Sequence, residues 1–176
     1  MQEYKVYITD NMYQKEENEV QSIITENHVS NGGNLFIDAI FMHNYAVLVS
    51  DEKGVVVGYA LVSNEFIKEN DIYVLQAAIK KDLQGKGIGT KIYDFIKKNS
   101  KPYSYFTASA SEENIQSVNF HKKQGFEEIG YGGFVFDLSS LKNRKELKSG
   151  VSEKFSLKDS LSSKNSMSSE NGPQMG

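Results

Sequence analysis

Residues Ile72 to Asn99 read IYVLQAAIKKDLQGKGIGTKIYDFIKKN, and this stretch decides how the rest of the chain is interpreted. Its first eight residues, IYVLQAAI, are apolar along almost their whole length, as in strands that are covered on both faces. Its last part carries apolar residues at the spacing of one helical stripe, namely Ile88, Ile92, Phe95 and Ile96. The stretch therefore predicts a buried strand, a glycine-rich turn and an amphipathic helix.

The turn from Gln84 to Gly89 holds three glycines at alternate positions. Glycine lets the backbone bend tightly and bring its N–H groups close to a ligand. A turn that opens a helix aims free N–H groups and the positive end of the helix dipole at one point, which favours an anion. Lys80, Lys81 and Lys86 add positive charge there. The alternative is a tight connection with no ligand; the Rossmann GxGxxG and the P-loop GK[ST] patterns are both absent.

The composition bounds the class of protein. The chain has 176 residues, of which 39% are hydrophobic, so we expect one domain with a core. A net charge of −3 gives no reason to expect nucleic acid or an anionic membrane as a partner. Because there is no cysteine, disulfides, thiolate metal sites and a cysteine nucleophile are excluded, and no other cluster suggests a metal. The N-terminus is neither a signal nor a transit peptide, and no apolar run approaches the ~20 residues that span a bilayer, so we expect a soluble, cytoplasmic protein.

Apolar periodicity and turn residues predict the other elements. Strand patterns occur before the opening stretch at 4–9, 46–50 and 55–63, and after it at 103–109, 126–131 and 134–138. Helices are predicted after Asp10 and after Ser111, which would cap them, and from Leu35 to near His43 and Asn44. Gly54 supplies the turn between the second and third strands. The order predicts a mixed α/β domain with one central sheet over residues 1–138.

From Ser139 onward, lysine and serine dominate and large apolar residues are sparse. One weak helix is compatible with the four-residue spacing of Leu147, Val151 and Phe155. The rest has too little apolar surface to offset the entropy of ordering. We therefore predict that residues 139–176 form a largely disordered tail.

A second segment, SEENIQSVNFHKKQGF, strengthens the interpretation of the glycine turn. The pair of segments resembles the GNAT N-acetyltransferase superfamily, which carries QxxGxG in its coenzyme A pyrophosphate loop and a later segment running from an asparagine to LYEKxGF. Gln84, Gly87 and Gly89 match the first pattern. The second pattern is matched by Asn114, Ser117, Phe120, Gly125 and Phe126. The element order also resembles this superfamily, which implies a mixed, mostly antiparallel sheet of about seven strands flanked by about four helices.

The resemblance implies transfer of an acetyl group from acetyl-CoA to a primary amine of a small molecule or peptide, through a tetrahedral intermediate. The backbone amides of seven residues would wrap the pyrophosphate: Gln84, Gly85, Lys86, Gly87, Ile88, Gly89 and Thr90. The strand would splay from its neighbour, leaving main-chain groups of Ala77, Ala78 and Ile79 for the pantetheine arm and the acetyl carbonyl. Asn114 would hydrogen-bond the pantetheine; the alternative is that it only occupies the first turn of a helix.

Two positions depart from the superfamily pattern. His121 stands where a tyrosine usually serves as the acid. It follows Asn114 by two helical turns, so both residues would lie on one helix face. His121 would then protonate the CoA thiolate. The alternative is a spectator histidine, with water as the acid. Tyr73 stands where some members have a glutamate base, although a neutral tyrosine is a poor base. Ordered water or one of three nearby carboxylates could replace it: Asp71, Glu65 or Asp38.

The leading interpretation is therefore an acetyl-CoA-dependent N-acetyltransferase. Because His121 and Tyr73 depart from the pattern, the alternative is a catalytically inactive acetyl-CoA-binding sensor or regulatory module. A third interpretation, in which the tail docks a partner, has little support. The acceptor would contact roughly Ile24–Asn44 and Gly130–Phe134, which carry no recognisable code for an amine. A homodimer is left open.

Overall fold

The computed structural model describes residues 3–28, 43–64, 71–100 and 103–143. In chain order these contain β1 (Lys5–Thr9), α1 (Gln14–His28), β2 (Tyr45–Ser50), β3 (Val56–Ser63), β4 (Asp71–Ile79), α2 (Ile88–Asn99), β5 (Tyr105–Ser109), α3 (Ile115–Lys123), β6 (Glu127–Gly130) and β7 (Gly133–Asp137). Two 3-10 helices, Lys81–Leu83 and Leu138–Asn143, complete this part of the chain. None of the helices described is long and apolar enough to cross a membrane.

The seven strands form one sheet in the order β1-β2-β3-β4-β5-β7-β6. All neighbouring pairs are antiparallel except β4 and β5, which are parallel. The predicted mixed, mostly antiparallel sheet is thus confirmed. Three α-helices lie in the described ranges, whereas about four were expected. The helix predicted from Leu35 lies outside the described residues except for its end near His43 and Asn44, and these two residues are not helical.

Apolar side chains cover both faces of the sheet. Helix α1 packs Val20 and Ile23 onto one face, while α2 packs Ile92 and Ile96 onto the other. Strands β2 and β3 lie between these layers and are buried along their whole length. Burial on both faces explains why neither strand shows the apolar–polar alternation of a half-exposed strand.

Strand β4 contains one more residue than the part of β3 that it pairs with. Val62 of β3 opposes Val74, but its neighbour Leu61 opposes Gln76, so Leu75 is the extra residue of a β-bulge. A bulge bends a strand and increases its twist. Because pairing with β5 also ends at Val74, the bend coincides with the point where the two parallel strands part.

The first helix begins later than Asp10 predicted. Helix α1 starts at Gln14, and the amide of Tyr13 donates to Glu16 Oε2 at 3.0 Å. This is the arrangement in which an acidic residue of the first turn reaches back to the helix start. The prediction that Asp10 caps the helix is therefore wrong, because residues 10–13 connect β1 to the helix start.

The cap of the last helix also differs from the prediction. Asn114 Oδ1 accepts a hydrogen bond from the amide of Ser117 at 3.1 Å, so Asn114 is the N-cap of α3. Ser111 lies one turn earlier, and its carbonyl oxygen accepts from the amide of Asn114 at 2.9 Å. The prediction of Ser111 as the cap is wrong, because residues 111–113 form a turn rather than helix.

The predicted boundary near residue 138 stays a prediction. The 3-10 helix Leu138–Asn143 continues directly from β7, and Leu138 is buried. The predicted disorder and the weak helix around Leu147 concern residues outside those that the structure describes.

Candidate functional site

The glycine turn leads into α2, whose first amides have no acceptor within the helix. Gly85 and Gly87 have φ values of +75° and +80°, the left-handed region that favours glycine. Gly87 is the N-cap of α2 and has no side chain to cap it. The amide of Lys91 donates to the carbonyl of Gly87 at 3.1 Å, which is the first hydrogen bond of the helix. The three helical residues before Lys91 therefore present amides that have no acceptor within the helix.

One part of the turn borders open space, and another part packs against a side chain of α3. A Cβ atom built on Gly85 or Gly87 would meet nothing within 4 Å, whereas one on Gly89 would lie 3.3 Å from the ring of Phe120 in α3. Lys81 and Lys86 are exposed beside the turn. Amides without an acceptor in the helix, a helix N-terminus and lysines combine into a surface that fits a pyrophosphate.

Strands β4 and β5 form a fork. Their last pair joins Val74 and Ala108, so the five residues from Leu75 to Ile79 have β3 on one edge and, in the described part of the chain, no strand on the other. The predicted splay is therefore confirmed. We call Leu75–Ile79 the rail, because it leads from the fork to the glycine turn.

The main-chain groups of the rail point to alternate edges. The amide of Lys80 donates to Val57 in β3 at 3.0 Å. Because neighbouring strand residues direct their polar groups to opposite edges, Ala78 also points towards β3, whereas Ala77 and Ile79 point to the open edge. Ala77 is exposed. The open edge therefore offers a row of main-chain hydrogen-bonding groups of the kind that an extended ligand can pair with.

Tyr73 places its hydroxyl group in the fork. Its Cα atom lies opposite Thr107, but its hydroxyl lies 2.8 Å from Ser109 Oγ, beyond the last β4–β5 pair. Both residues lie on the α1 side of the sheet, since their neighbours Val74 and Ala108 pack on the α2 side. Ser109 carries no local sequence signal, because only the register of two distant strands brings it to Tyr73.

His121 lies in the core rather than at the fork surface. Its side chain is 3% exposed and stacks on Phe134 with ring centroids 4.7 Å apart. Its Nδ1 lies 2.8 Å from the carbonyl of Ser117, so Nδ1 carries the proton and Nε2 accepts from the hydroxyl of Tyr93 at 3.0 Å. Both ring nitrogens of His121 are therefore engaged within the protein.

Asn114 and His121 differ in exposure. Asn114 is the exposed N-cap of α3, while His121 is buried seven residues later. That the two side chains serve one site stays a prediction. Of the three alternative carboxylates, Asp71 is buried at the start of β4, and Glu65 and Asp38 lie outside the described residues.

Gln84 is engaged within the protein through both its amide groups. Its backbone N–H donates to the carbonyl of Lys81 at 3.3 Å. Its side-chain Nε2 donates to Asn27 Oδ1 at 2.8 Å and to the carbonyl of Ile79 at 3.2 Å. The backbone N–H of Gln84, which was expected to face the pyrophosphate, is therefore already used within the protein.

Comparison with known proteins identifies relatives. A sequence model described as the acetyltransferase (GNAT) family matches residues 10–126, more than half of the chain. No curated protein sequence matches the chain significantly.

Solved structures share the fold at low sequence identity. An acetyltransferase of the GNAT family from Staphylococcus aureus has a TM-score of 0.63 at 14% identity, covering 76% of this chain and 99% of its own. An N-acetyltransferase from the same organism has a TM-score of 0.58 at 17% identity, with coverages of 76% and 99%. The ribosomal-protein-S18-alanine N-acetyltransferase of Escherichia coli has a TM-score of 0.58 at 11% identity, with coverages of 74% and 91%.

The burial of His121 predicts how stability depends on pH. Burial lowers the pKa of His121 below its ordinary value, and the hydrogen bond with Ser117 offsets only part of this effect. The unfolded chain thus takes up a proton near the reference pKa of ~6.5, where the folded chain does not. The free energy of unfolding should therefore fall as the pH drops below ~6.5, by at most about 1.4 kcal/mol per pH unit, until the folded-state pKa is reached.

Urea unfolding of the wild type and of His121→Phe at about pH 7 and about pH 5.5 measures this effect. Phenylalanine preserves an aromatic ring beside Phe134 and removes the titration. We expect the wild type to lose up to about 1.4 kcal/mol more than the variant between the two conditions. Equal losses would show that His121 does not titrate differently in the folded and unfolded chain.

Proposed function

The chain belongs to the acetyltransferase (GNAT) family, and on that premise we propose that it transfers the acetyl group of acetyl-CoA to a primary amine of a small molecule or peptide. The observation that carries the proposal is the continuity between the glycine turn and the rail. An anion-binding turn and an open main-chain edge follow each other along one chain segment, which suits a ligand with a pyrophosphate and an extended amide-containing arm.

The donor would be held mainly by backbone groups. We assign the pyrophosphate to the turn, with the cofactor contacts made by Gly85, Lys86, Gly87, Ile88, Gly89 and Thr90. Gln84 would support the turn from behind. The pantetheine arm would lie along the rail and reach Asn114, whose Oδ1 is already used by the N-cap and whose Nδ2 would serve as the donor. When bound, acetyl-CoA supplies the activated carbonyl and the thiolate leaving group.

The rail would also stabilise the developing oxyanion. Amides that are fixed before reaction stabilise negative charge without reorganising. The amides of Ala77 and Ile79 point to the open edge and fit this role, whereas the main-chain groups of Ala78 point towards β3. Ala78 would then contribute shape to the donor site rather than a hydrogen bond.

Two groups are proposed for proton transfer. The hydroxyl of Tyr73 lies in the fork with Ser109 and would accept the proton of the amine, with water as the onward carrier. His121 would take up a proton at Nε2 and return it to the thiolate through the hydroxyl of Tyr93, which is hydrogen-bonded to Nε2 at 3.0 Å. The proton that the amine loses replaces it. Asp71 is the described carboxylate nearest in sequence to Tyr73, but it sits at the start of β4, away from the fork.

The alternative function is an acetyl-CoA-binding sensor without turnover. Two observations favour it: His121 is buried, and the position of the family glutamate holds Tyr73. The donor site would be the same in both cases, so only chemistry separates the two functions. A cytoplasmic location and a homodimer stay predictions.

A thiol-release assay tests the proposed function. The purified chain is mixed with acetyl-CoA and a panel of amines that includes small amines and an alanine-initiated peptide, in view of the alanine substrate named for the Escherichia coli relative. We expect CoA release above the uncatalysed rate with at least one amine. Because the chain has no cysteine, it adds no background thiol. Binding of acetyl-CoA without release on any amine would favour the sensor, and absence of binding would refute both functions.

Two variants test the proton-transfer groups. General acids and bases contribute ~10²–10⁴-fold, so Tyr73→Phe and His121→Gln should each lower kcat by at least about 10²-fold with little change in the KM for acetyl-CoA. Glutamine can still accept from Tyr93 but has no acidic proton. Tyr105→Phe is the matched control, because it removes an exposed phenol from the same face of β5, outside the fork. A loss below about threefold removes the residue concerned from the mechanism.

A further inference from the structure

Within the sheet, the end of the rail is hydrogen-bonded along one edge, to β3. Past Val74 the rail is paired with β3 alone, yet its last residue leads directly into the 3-10 helix Lys81–Leu83 and the glycine turn. Any movement of the rail end would therefore also move the amides that face the donor.

Two side-chain amides meet the carbonyl oxygen of Ile79 on the open edge. Asn27 Nδ2 donates to it at 3.1 Å, and Gln84 Nε2 donates to it at 3.2 Å. Gln84 Nε2 also donates to Asn27 Oδ1 at 2.8 Å. We call Asn27, Gln84 and the Ile79 carbonyl the amide clip. It joins three segments: the last turn of α1, the end of the rail and the start of the glycine turn.

Neighbouring hydrogen bonds fix the same segments. Asn27 Nδ2 also donates to the carbonyl of Ile23, which orients the side chain on α1. Glu26 Oε1 accepts from the amide of Lys81 at 2.9 Å. Together with the bond from Lys80 to β3, these contacts hold the peptide after Ile79 from both sides. The clip therefore replaces the missing β5 neighbour at the end of the rail.

We propose that Asn27 is a positioning residue for the acyl donor, acting through Gln84. The inference rests on the proposed function and assigns a part of the donor site to α1, on the opposite face of the sheet from α2. Both hydrogens of the Gln84 amide are used inside the clip, so its side chain orders the turn rather than contacting the donor. A turn that is already ordered in the free protein loses little conformational entropy on binding, so the observed affinity is higher.

Binding of CoA to the wild type, Asn27→Ala, Gln84→Ala and the double variant tests the proposal by calorimetry. We expect each single variant to weaken CoA binding at least tenfold. The double variant should be little weaker than either single variant, because each breaks the same clip. The KM for the amine in the thiol-release assay should stay within twofold of the wild type.

Asn18→Ala is the matched control. Asn18 lies on the same helix and accepts from Gln14 Nε2 at 3.2 Å, in an exposed amide pair that touches no part of the donor site. Its CoA affinity should stay within twofold of the wild type. If Asn27→Ala also stays within twofold while Gln84→Ala does not, Gln84 contacts the donor directly and the positioning role of Asn27 is overturned.

Hydrogen exchange in the absence of ligand separates failure of this proposal from failure of the proposed function. The amides of Lys81, Leu83 and Gln84 are hydrogen-bonded around the clip and should exchange faster in Asn27→Ala than in the wild type and Asn18→Ala. Unchanged exchange would overturn the clip even if CoA binds normally. Loss of CoA binding in the wild type itself would instead refute the proposed function.

Discussion

The site depends on a main-chain edge that the sheet leaves unpaired. Unpaired backbone groups are costly when buried, so an open edge persists in a folded protein where solvent or a ligand can reach it. Here the bulge at Leu75 lies where β4 parts from β5. Beyond it, β3 and the amide clip hold the rail in place. The opening and its supports are separate features of the chain, so the rail is unpaired with β5 along one edge and yet held in place.

Backbone recognition explains how the site coexists with unusual side chains. In the proposed function the turn and the rail would act through amides, and these depend on glycines at positive φ and on strand geometry rather than on particular side chains. The fork is different, because proton transfer needs specific groups. His121 and Tyr73, the two groups proposed for proton transfer, both depart from the family pattern. The proposed donor site does not depend on either side chain.

The sequence predicted those elements whose residue pattern is local and repeated. Apolar periodicity predicted every strand of the sheet, and the glycine spacing placed the turn before α2. The helix caps at Asp10 and Ser111 were wrong, because the turn residues before each helix delay its start. His121 could not be placed, since helical spacing does not tell which face meets the sheet. Ser109 and Asn27 were missed because each meets its partner across a long sequence separation, through strand register or helix packing.

The most direct test of the central claim is a crystal structure of the chain with CoA bound. We expect the pyrophosphate oxygens to lie within hydrogen-bonding distance, about 2.7–3.2 Å, of backbone amides between Gly85 and Thr90. We also expect the pantetheine arm to lie along the open edge at Ala77 and Ile79. A CoA molecule bound elsewhere, or one that leaves the rail untouched, would contradict the assignment of the fork and the glycine turn as one donor site.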